Sequence, residues 1–288
     1  MIEIVNPGLL LTLQDGGRPG FAHLGVPRSG AADLEALHDC NWLVGNDRGQ
    51  GALETTLVGA EMSFRQAATV AVTGADAELR IDGEEVPFGV AIEINAGSSL
   101  RIGPARSCVR SYVAVRGGLG TQPVLGSASA DLLTGLGTPP LGRGDRLAIA
   151  NRPVEQAPEA RVAPVERPET IDLDAGPQSE ERHGRRILDA LLDRQWQVRP
   201  DSNRVGSRLA AVDGRLDVPN DFVLEHSQPL LPGAVQIPPG GEPIVLLRDH
   251  PVTGGYPVVG VVAPCALDAC ARLRPGDSFR FRLEVDRS

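Results

Sequence analysis

The stretch LLRDHPVTGGYPVVGVVAP, residues 246–264, connects two apolar runs, Ile244–Leu247 and Val258–Val262, through Asp249, His250, Pro251, Thr253, Gly254, Gly255, Tyr256 and Pro257. Aliphatic runs bounded by Gly and Pro read as buried strands. A plain hairpin needs only a few turn residues, so this connection is built to present side chains and open backbone. Its Val252-x-Gly254-Gly255 core occurs earlier as Val115-x-Gly117-Gly118. Two more pairs keep the same order: Asp15-x-x-Arg18-x-Gly20 with Asp201-x-x-Arg204-x-Gly206, and Gly144-Asp145-x-Leu147 with Gly276-Asp277-x-Phe279. From the Asp to the Gly-Gly the first copy takes 102 residues and the second 53. The ordered repeat predicts two related β-barrel domains, the first carrying an insertion.

The expected fold class is therefore mainly β, with a few short helices. Short β patterns are Ile2–Val5, Leu9–Leu13, Val70–Thr73, Glu78–Ile81, Val90–Ile94, Leu100–Ile102, Tyr112–Val115 and Arg146–Ala150 in the first half. Thr170–Leu173, Gln195–Val198, Phe222–Leu224, Ala234–Ile237 and Ser278–Leu283 add to the two runs above in the second. Residues 31–44 read as a helix, with Ser29 as its N-cap and Gly45 as its stop. A second short helix is expected around Ile187, Leu188, Leu191 and Leu192. The domain reading is 1–150 for the first barrel with its helical insertion, 151–168 for a Pro-rich linker, and 169–288 for the second barrel.

With 34 glycines and 24 prolines but only 3% aromatics, Val, Leu, Ile and Ala must fill the core. The net charge of −9 and the lack of a basic stripe argue against nucleic acid. No apolar run approaches the ~20 residues of a membrane span. The start, MIEIVNPGLLLTLQDGG, reads as a strand rather than a signal peptide. Four cysteines suggest no disulfide framework, and reduced thiols in a cytoplasmic protein are expected. Cys265 and Cys270 lack a second pair or clustered histidines, so no metal site is expected. All 28 basic residues are arginine. That excludes a Schiff-base lysine, a P-loop lysine and a lysine carrying biotin.

Three stretches could carry chemistry. In TLQDGGRPGFAHLGVPRSGAAD, 12–33, Arg18 and Arg28 could grip a carboxylate, with Asp15 orienting either one, and a helix N-terminus beyond Ser29 could add N–H donors. The competing reading is an Asp–Arg pair tying down a long loop. In WQVRPDSNRVGSRLA, 196–210, Arg199, Arg204 and Arg208 surround Asp201, fitting anion recognition, an acidic partner or plain ion pairing. In the opening stretch, Thr253 and Tyr256 offer hydroxyls and Gly254-Gly255 offers close backbone approach. Asp249 and His250 could form an acid/base pair, although a loop histidine before proline is more often structural.

These stretches, with SYVAVRGGLGTQPVLGSAS at 111–129, RPDSNRVGSRL at 199–209 and PIVLLRDHPVTGGYPVVG at 243–260, resemble the biotin-dependent carboxyltransferase-related family. The resemblance runs from about residue 3 to 283. That family includes the second-subunit "allophanate hydrolase" proteins, the C-type subunit of the ATP-dependent 5-oxoprolinase, and part of the urea carboxylase carboxyltransferase region. The resemblance implies cyclophilin-like β-barrels and a partner of the subunit 1 type, with a third subunit in the 5-oxoprolinase system. It implies a subunit of a heteromeric ATP-dependent amide hydrolase that opens 5-oxo-L-proline to L-glutamate. ATP would be a co-substrate held by partners, with no metal and no covalently carried biotin. Allophanate itself is a poor fit, since its hydrolysis uses a serine–lysine apparatus. The alternatives are a non-catalytic binding or regulatory partner of a kinase-inhibitor-like subunit 1, or a carboxyltransferase-type subunit. Carried over by motif, Asp15, Asp249 and Tyr256 are the candidate catalytic residues. Gln14, Arg18, Ser29, Gly30, Asp33, Asp201, Arg204, Arg208, Gln236, Thr253, Gly254 and Gly255 are the candidate substrate-binding residues.

Overall fold

The computed structural model describes residues 1–284. The chain forms two compact units: Met1–Arg18 with Ser29–Glu166, and Pro19–Arg28 with the residues from Arg167 onward.

The first unit contains strands β1 (Ile2–Asn6), β2 (Leu11–Gln14), β3 (Ala52–Thr56), β4 (Glu61–Phe64), β5 (Ala68–Gly74), β6 (Leu79–Ile81), β7 (Glu84–Val86), β8 (Ile92–Ile94), β9 (Ser99–Ile102), β10 (Arg110–Val115) and β11 (Arg146–Leu147). They form a six-stranded sheet, β11-β1-β4-β9-β6-β7, and a five-stranded sheet, β2-β3-β10-β5-β8. One buried cluster, including Ile4, Leu13, Leu53, Phe64, Val72, Leu100 and Val113, takes side chains from both sheets. The expected closed barrel is therefore corrected to two sheets over a shared core. The cause lies at the corners, where the chain leaves one sheet for the other. Between β1 and β2 it turns at Gly8 (φ +71°), whose Cβ would lie 2.2 Å from the Val58 carbonyl oxygen.

Helix α1 (Leu34–Leu43) packs Ala36, Leu37, Cys40 and Leu43 against Ala71, Tyr112 and Ala114. This buries β10 on both faces along its whole length. The helix is shorter than expected, and its N-cap is Asp33 rather than Ser29. The Asp33 carboxylate accepts the Ala36 N–H at 3.1 Å. Ser29 instead sits at φ +53° before the helix begins. Of the expected 151–168 linker, residues 151–166 belong to this unit: the amides of Glu155, Val162 and Val165 donate to the carbonyls of Gly45, Gly89 and Gly74.

The second unit contains β12 (Thr170–Ala175), α2 (Arg182–Asp193), β13 (Gln195–Val198), β14 (Gly206–Ala211), β15 (Gln228–Pro229), β16 (Ala234–Gln236), β17 (Ile244–Leu246), β18 (Thr253–Gly254), β19 (Val258–Val262), α3 (Leu267–Arg272) and β20 (Ser278–Leu283). Seven strands close a barrel in the order β12-β19-β16-β17-β14-β13-β20. A parallel pair, β12 with β20, makes the closure. Its core holds four of the chain's ten aromatic residues, Trp196, Phe222, Phe279 and Phe281. Trp196 is fully buried and donates its indole N–H to the Leu191 carbonyl at 2.8 Å. Phe279 meets Phe281 edge-on at 5.0 Å. Phe222–Leu224, expected as a strand, is irregular. Phe222 still enters the core, but its N–H closes a turn onto the Pro219 carbonyl.

Cys40, Cys108 and Cys270 are buried and Cys265 is exposed, all as free thiols. Burial pushes the Cys40 and Cys270 thiols up to about 12 from an ordinary 9.0, and burial also raises Tyr112. The folded state thus keeps protons that the unfolded state releases. Their contribution is intact below pH 9.0 and declines as pH rises toward 12. Urea denaturation across that range is expected to give falling stability, with a shallower slope in the Cys40→Ala/Cys270→Ala variant. An unchanged slope would contradict the assignment.

Candidate functional site

Two buried arginines organise the residues singled out from sequence, one in each unit. In the first unit β2 ends at Gln14 and the chain turns through Asp15-Gly16-Gly17-Arg18. Asp15 makes the turn by accepting the Gly17 N–H at 2.8 Å. Its carboxylate also accepts the Ser127 hydroxyl (2.6 Å), the Ala128 N–H (2.8 Å) and the Ser129 hydroxyl (2.5 Å). Asp15 therefore pins residues 127–129 and is not the partner of Arg18. Gly30 completes this corner: at φ +93°, its Cβ would meet the Gly17 nitrogen at 2.8 Å. Arg18 is 1% exposed, with Nε toward the Val124 carbonyl (3.4 Å) and Nη2 on the Ser129 carbonyl. Gln14 is 0% exposed and donates Nε2 to Thr12 Oγ1 and the Ala130 carbonyl, each at 3.1 Å.

The helix N-terminus offered from sequence as an anion site is closed by its own residues. Asp33 caps it, and the Asp33 N–H donates to Tyr112 Oη at 2.9 Å. Tyr112 Oη in turn donates to Glu54 Oε2 at 2.7 Å, and Glu54 pairs with Arg110 at 3.3 Å. This buried network was not legible from sequence. Glu54 interrupts the apolar pattern of β3, which hid the strand as well.

In the second unit Arg204 and Asp249, 1% and 0% exposed, form a side-on bidentate pair: Nε to Oδ2 at 2.9 Å and Nη2 to Oδ1 at 3.0 Å. The sequence neighbour Asp201 is not the partner. Asp201 is exposed and pairs with Arg199 (3.0 Å) and Arg208 (3.6 Å). Glu242 joins this surface network through Arg199 and through Arg215 at 3.3 Å. Hydrogen bonding to Asp201 first, and then the charge of Glu242, raises the Arg199 guanidinium above its ordinary value. The local basic cluster is thus internally neutralised. Arg28 stands exposed in this unit; partial burial and then the charge of Arg248 lower it, while Arg248 pairs with Asp268 at 2.8 Å.

The opening loop leaves Asp249 by a buried His250, whose Nδ1 lies 2.8 Å from the Pro251 carbonyl. Asp249 holds Arg204 in the bidentate pair, and the His250 ring lies against its own chain at Pro251. β18 then pairs with β15, Thr253 opposite Pro229 and Gly254 opposite Gln228. Gly254 makes way for internal neighbours: a Cβ there would sit 2.6 Å from Leu230 Cδ1 and 2.7 Å from Gln236 Nε2. At Gly255 a Cβ would find only Ser227 Oγ, at 3.8 Å, so this glycine borders open space. Tyr256 is 44% exposed. Ser127, Ser129 and Gly137 join the site residues. The signal for the two serines was the Gly-Ser-Ala-Ser run in a stretch already singled out; Gly137 lies outside every such stretch. No group of three His, Cys, Asp or Glu that could hold a metal occurs among the described residues.

Residues 24–283 match the model of the family described as carboxyltransferase domain, subdomain A and B. The chain is 36% identical over 284 residues to the C-type subunit of 5-oxoprolinase from Escherichia coli (strain K12), covering 98% of this chain and 90% of that protein. The crystal structure of TTHA0988 superposes with a TM-score of 0.86 at 35% identity, covering 98% of this chain and 55% of that one. The K. lactis urea amidolyase structure gives a TM-score of 0.83 at 27% identity, covering 97% of this chain and 18% of that one.

The role found for Asp15 has a direct check. Asp15→Ala is expected to speed hydrogen exchange at the Gly17 and Ala128 amides and to lower stability by roughly 1–3 kcal/mol. Unaltered exchange at both amides would contradict it.

Proposed function

Because the chain belongs to the carboxyltransferase domain, subdomain A and B family, we propose that it is the C-type subunit of a heteromeric, ATP-dependent 5-oxoprolinase. The observation that carries this reading is the likeness to the E. coli C-type subunit along 98% of this chain and 90% of that protein. Such end-to-end correspondence fits the same place in the same kind of assembly. The reaction breaks the lactam C–N bond. Water supplies hydroxyl to the carbonyl carbon and a proton to the nitrogen, and ATP drives the opening. The chain has no lysine for a phosphate loop, so the reading assigns ATP to the partner subunits, of the subunit 1 type and a third chain.

Within that assembly Asp15 and Asp249 act as positioning residues. Both carboxylates are filled by donors of this chain, which fits holding loops rather than exchanging protons. Gly30 shapes the same corner as Asp15, and Asp33 caps the helix that follows. In the 249–256 loop, Thr253, Gly255 and Tyr256 are the exposed residues, offering two hydroxyls and open backbone. They are suited to hydrogen-bond a carbonyl oxygen that gains charge as the lactam opens. The rival reading, a carboxyltransferase, draws on the likeness to urea amidolyase and would need biotin carried on another chain.

Reconstitution with the partner subunits tests the proposal. ATP-dependent glutamate release from 5-oxoproline is expected only with this chain present. Tyr256→Phe is expected to lower kcat about 100-fold while the complex still assembles. A stable complex without turnover would overturn the hydrolase reading. Full kcat in the Tyr256→Phe complex would remove the tyrosine from the site.

A further inference from the structure

Arg18 is a buried cation whose partners are all neutral. Its guanidinium reaches only the Val124 and Ser129 carbonyls, and Nη1, also buried, has no hydrogen-bond partner among the described residues. Asp15 is three residues away in sequence, but its carboxylate is taken up by Gly17, Ser127, Ala128 and Ser129. The second unit supplies an internal control. Arg204, buried to the same 1%, carries a bidentate carboxylate. A guanidinium taken from water without a counter-charge is strongly disfavoured, so the missing anion at Arg18 points to a ligand.

Gln14 points the same way independently. Its Oε1 is buried and unpartnered. The amide cannot simply be turned round: the Ala130 carbonyl accepts only, so it must face Nε2, and Oε1 is left as a free acceptor. Gln14 and Arg18 are anchored on adjacent carbonyls, of Ala130 and Ser129, in the run that Asp15 holds. Gly137 stands beside Arg18 and Ser129 at φ +82°. A Cβ there would fall 1.9 Å from the Ser129 oxygen and 2.8 Å from Arg18 Nη2. One fixed backbone run thus carries an unfilled cationic donor and an unfilled neutral acceptor.

We infer that Arg18 Nη1 and Gln14 Oε1 form a two-point site for a small ligand bearing a carboxylate and an amide N–H. The carboxylate takes the Arg18 donor, and the N–H donates to Gln14. 5-Oxoproline has both groups on one ring, so naming it as the ligand rests on the proposed function. Arg18 and Gln14 thereby become the specificity residues of that reading. Because Arg18 is 1% exposed, ligand entry requires a local opening of the chain around it.

The test uses the reconstituted complex with three probes: 5-oxoproline, 2-pyrrolidone, which lacks the carboxylate, and N-methyl-5-oxoproline, which lacks the N–H. Arg18→Met is expected to weaken calorimetric binding and raise KM for 5-oxoproline roughly 10- to 100-fold, leaving 2-pyrrolidone unaffected. Gln14→Leu is expected to abolish the preference for 5-oxoproline over its N-methyl form. Arg18→Lys keeps the charge and serves as the folding control. Arg18-dependent binding without any turnover would sink the 5-oxoprolinase reading and leave the site standing. Turnover and binding unchanged in Arg18→Met would overturn the site and leave that reading. Absent binding of 5-oxoproline to the wild-type complex would also overturn the site. So would loss of a partner subunit in Arg18→Met, which would give the arginine's counter-charge to a partner carboxylate.

Discussion

A guanidinium removed from water must meet a carboxylate in good geometry or remain a liability. In the second unit that demand is met by Arg204 and Asp249, and the surrounding architecture follows from the pair. Arg204 ends the turn before β14, and Asp249 ends the run that begins with β17. The main chain reinforces the junction: the Asp249 N–H donates to the Arg204 carbonyl at 3.1 Å and the Leu247 N–H to the Val205 carbonyl at 3.0 Å. The loop that presents Thr253, Gly255 and Tyr256 therefore starts from a fixed point. A side-on bidentate contact adds geometric specificity that a single hydrogen bond lacks.

The first unit uses the same motif and stops one step short. Asp15 spends its charge on hydroxyls and amides of 127–129, and Arg18 is left with carbonyls. Natural chains rarely sit at their stability optimum, and functional sites are where unfavourable arrangements are tolerated. An uncompensated buried arginine beside an unfilled amide oxygen is such an arrangement. Gly137 has no room for a side chain against Arg18 and the Ser129 carbonyl, and the buried serines of the Gly-Ser-Ala-Ser run serve Asp15.

Much of this was legible from residue order. The paired Asp-x-x-Arg-x-Gly motifs located both buried arginines, and the aliphatic runs located most barrel strands. The motif misled about partners, because proximity in sequence is not proximity of charges: Asp201 lies at the surface while Asp249 crosses from another strand. β3 was invisible because buried Glu54 breaks its apolar pattern. Asp33 outcompeted Ser29 as the helix cap because the helix starts later, where Tyr112 and Glu54 tie down the preceding amides. The repeat also over-read closure. It recorded local turn chemistry, whereas the split into two sheets depends on tight corners such as Gly8, which no periodicity encodes.

The most direct measurement compares Arg18→Met with Arg204→Met by urea denaturation of the chain alone. The account predicts opposite behaviour from equally buried arginines. Arg204→Met strands Asp249 and should lose about 3–5 kcal/mol. Arg18→Met removes a charge without a counter-charge and should leave stability unchanged or higher. Equal losses at both positions would contradict the claim that Arg18 is held uncompensated for a ligand.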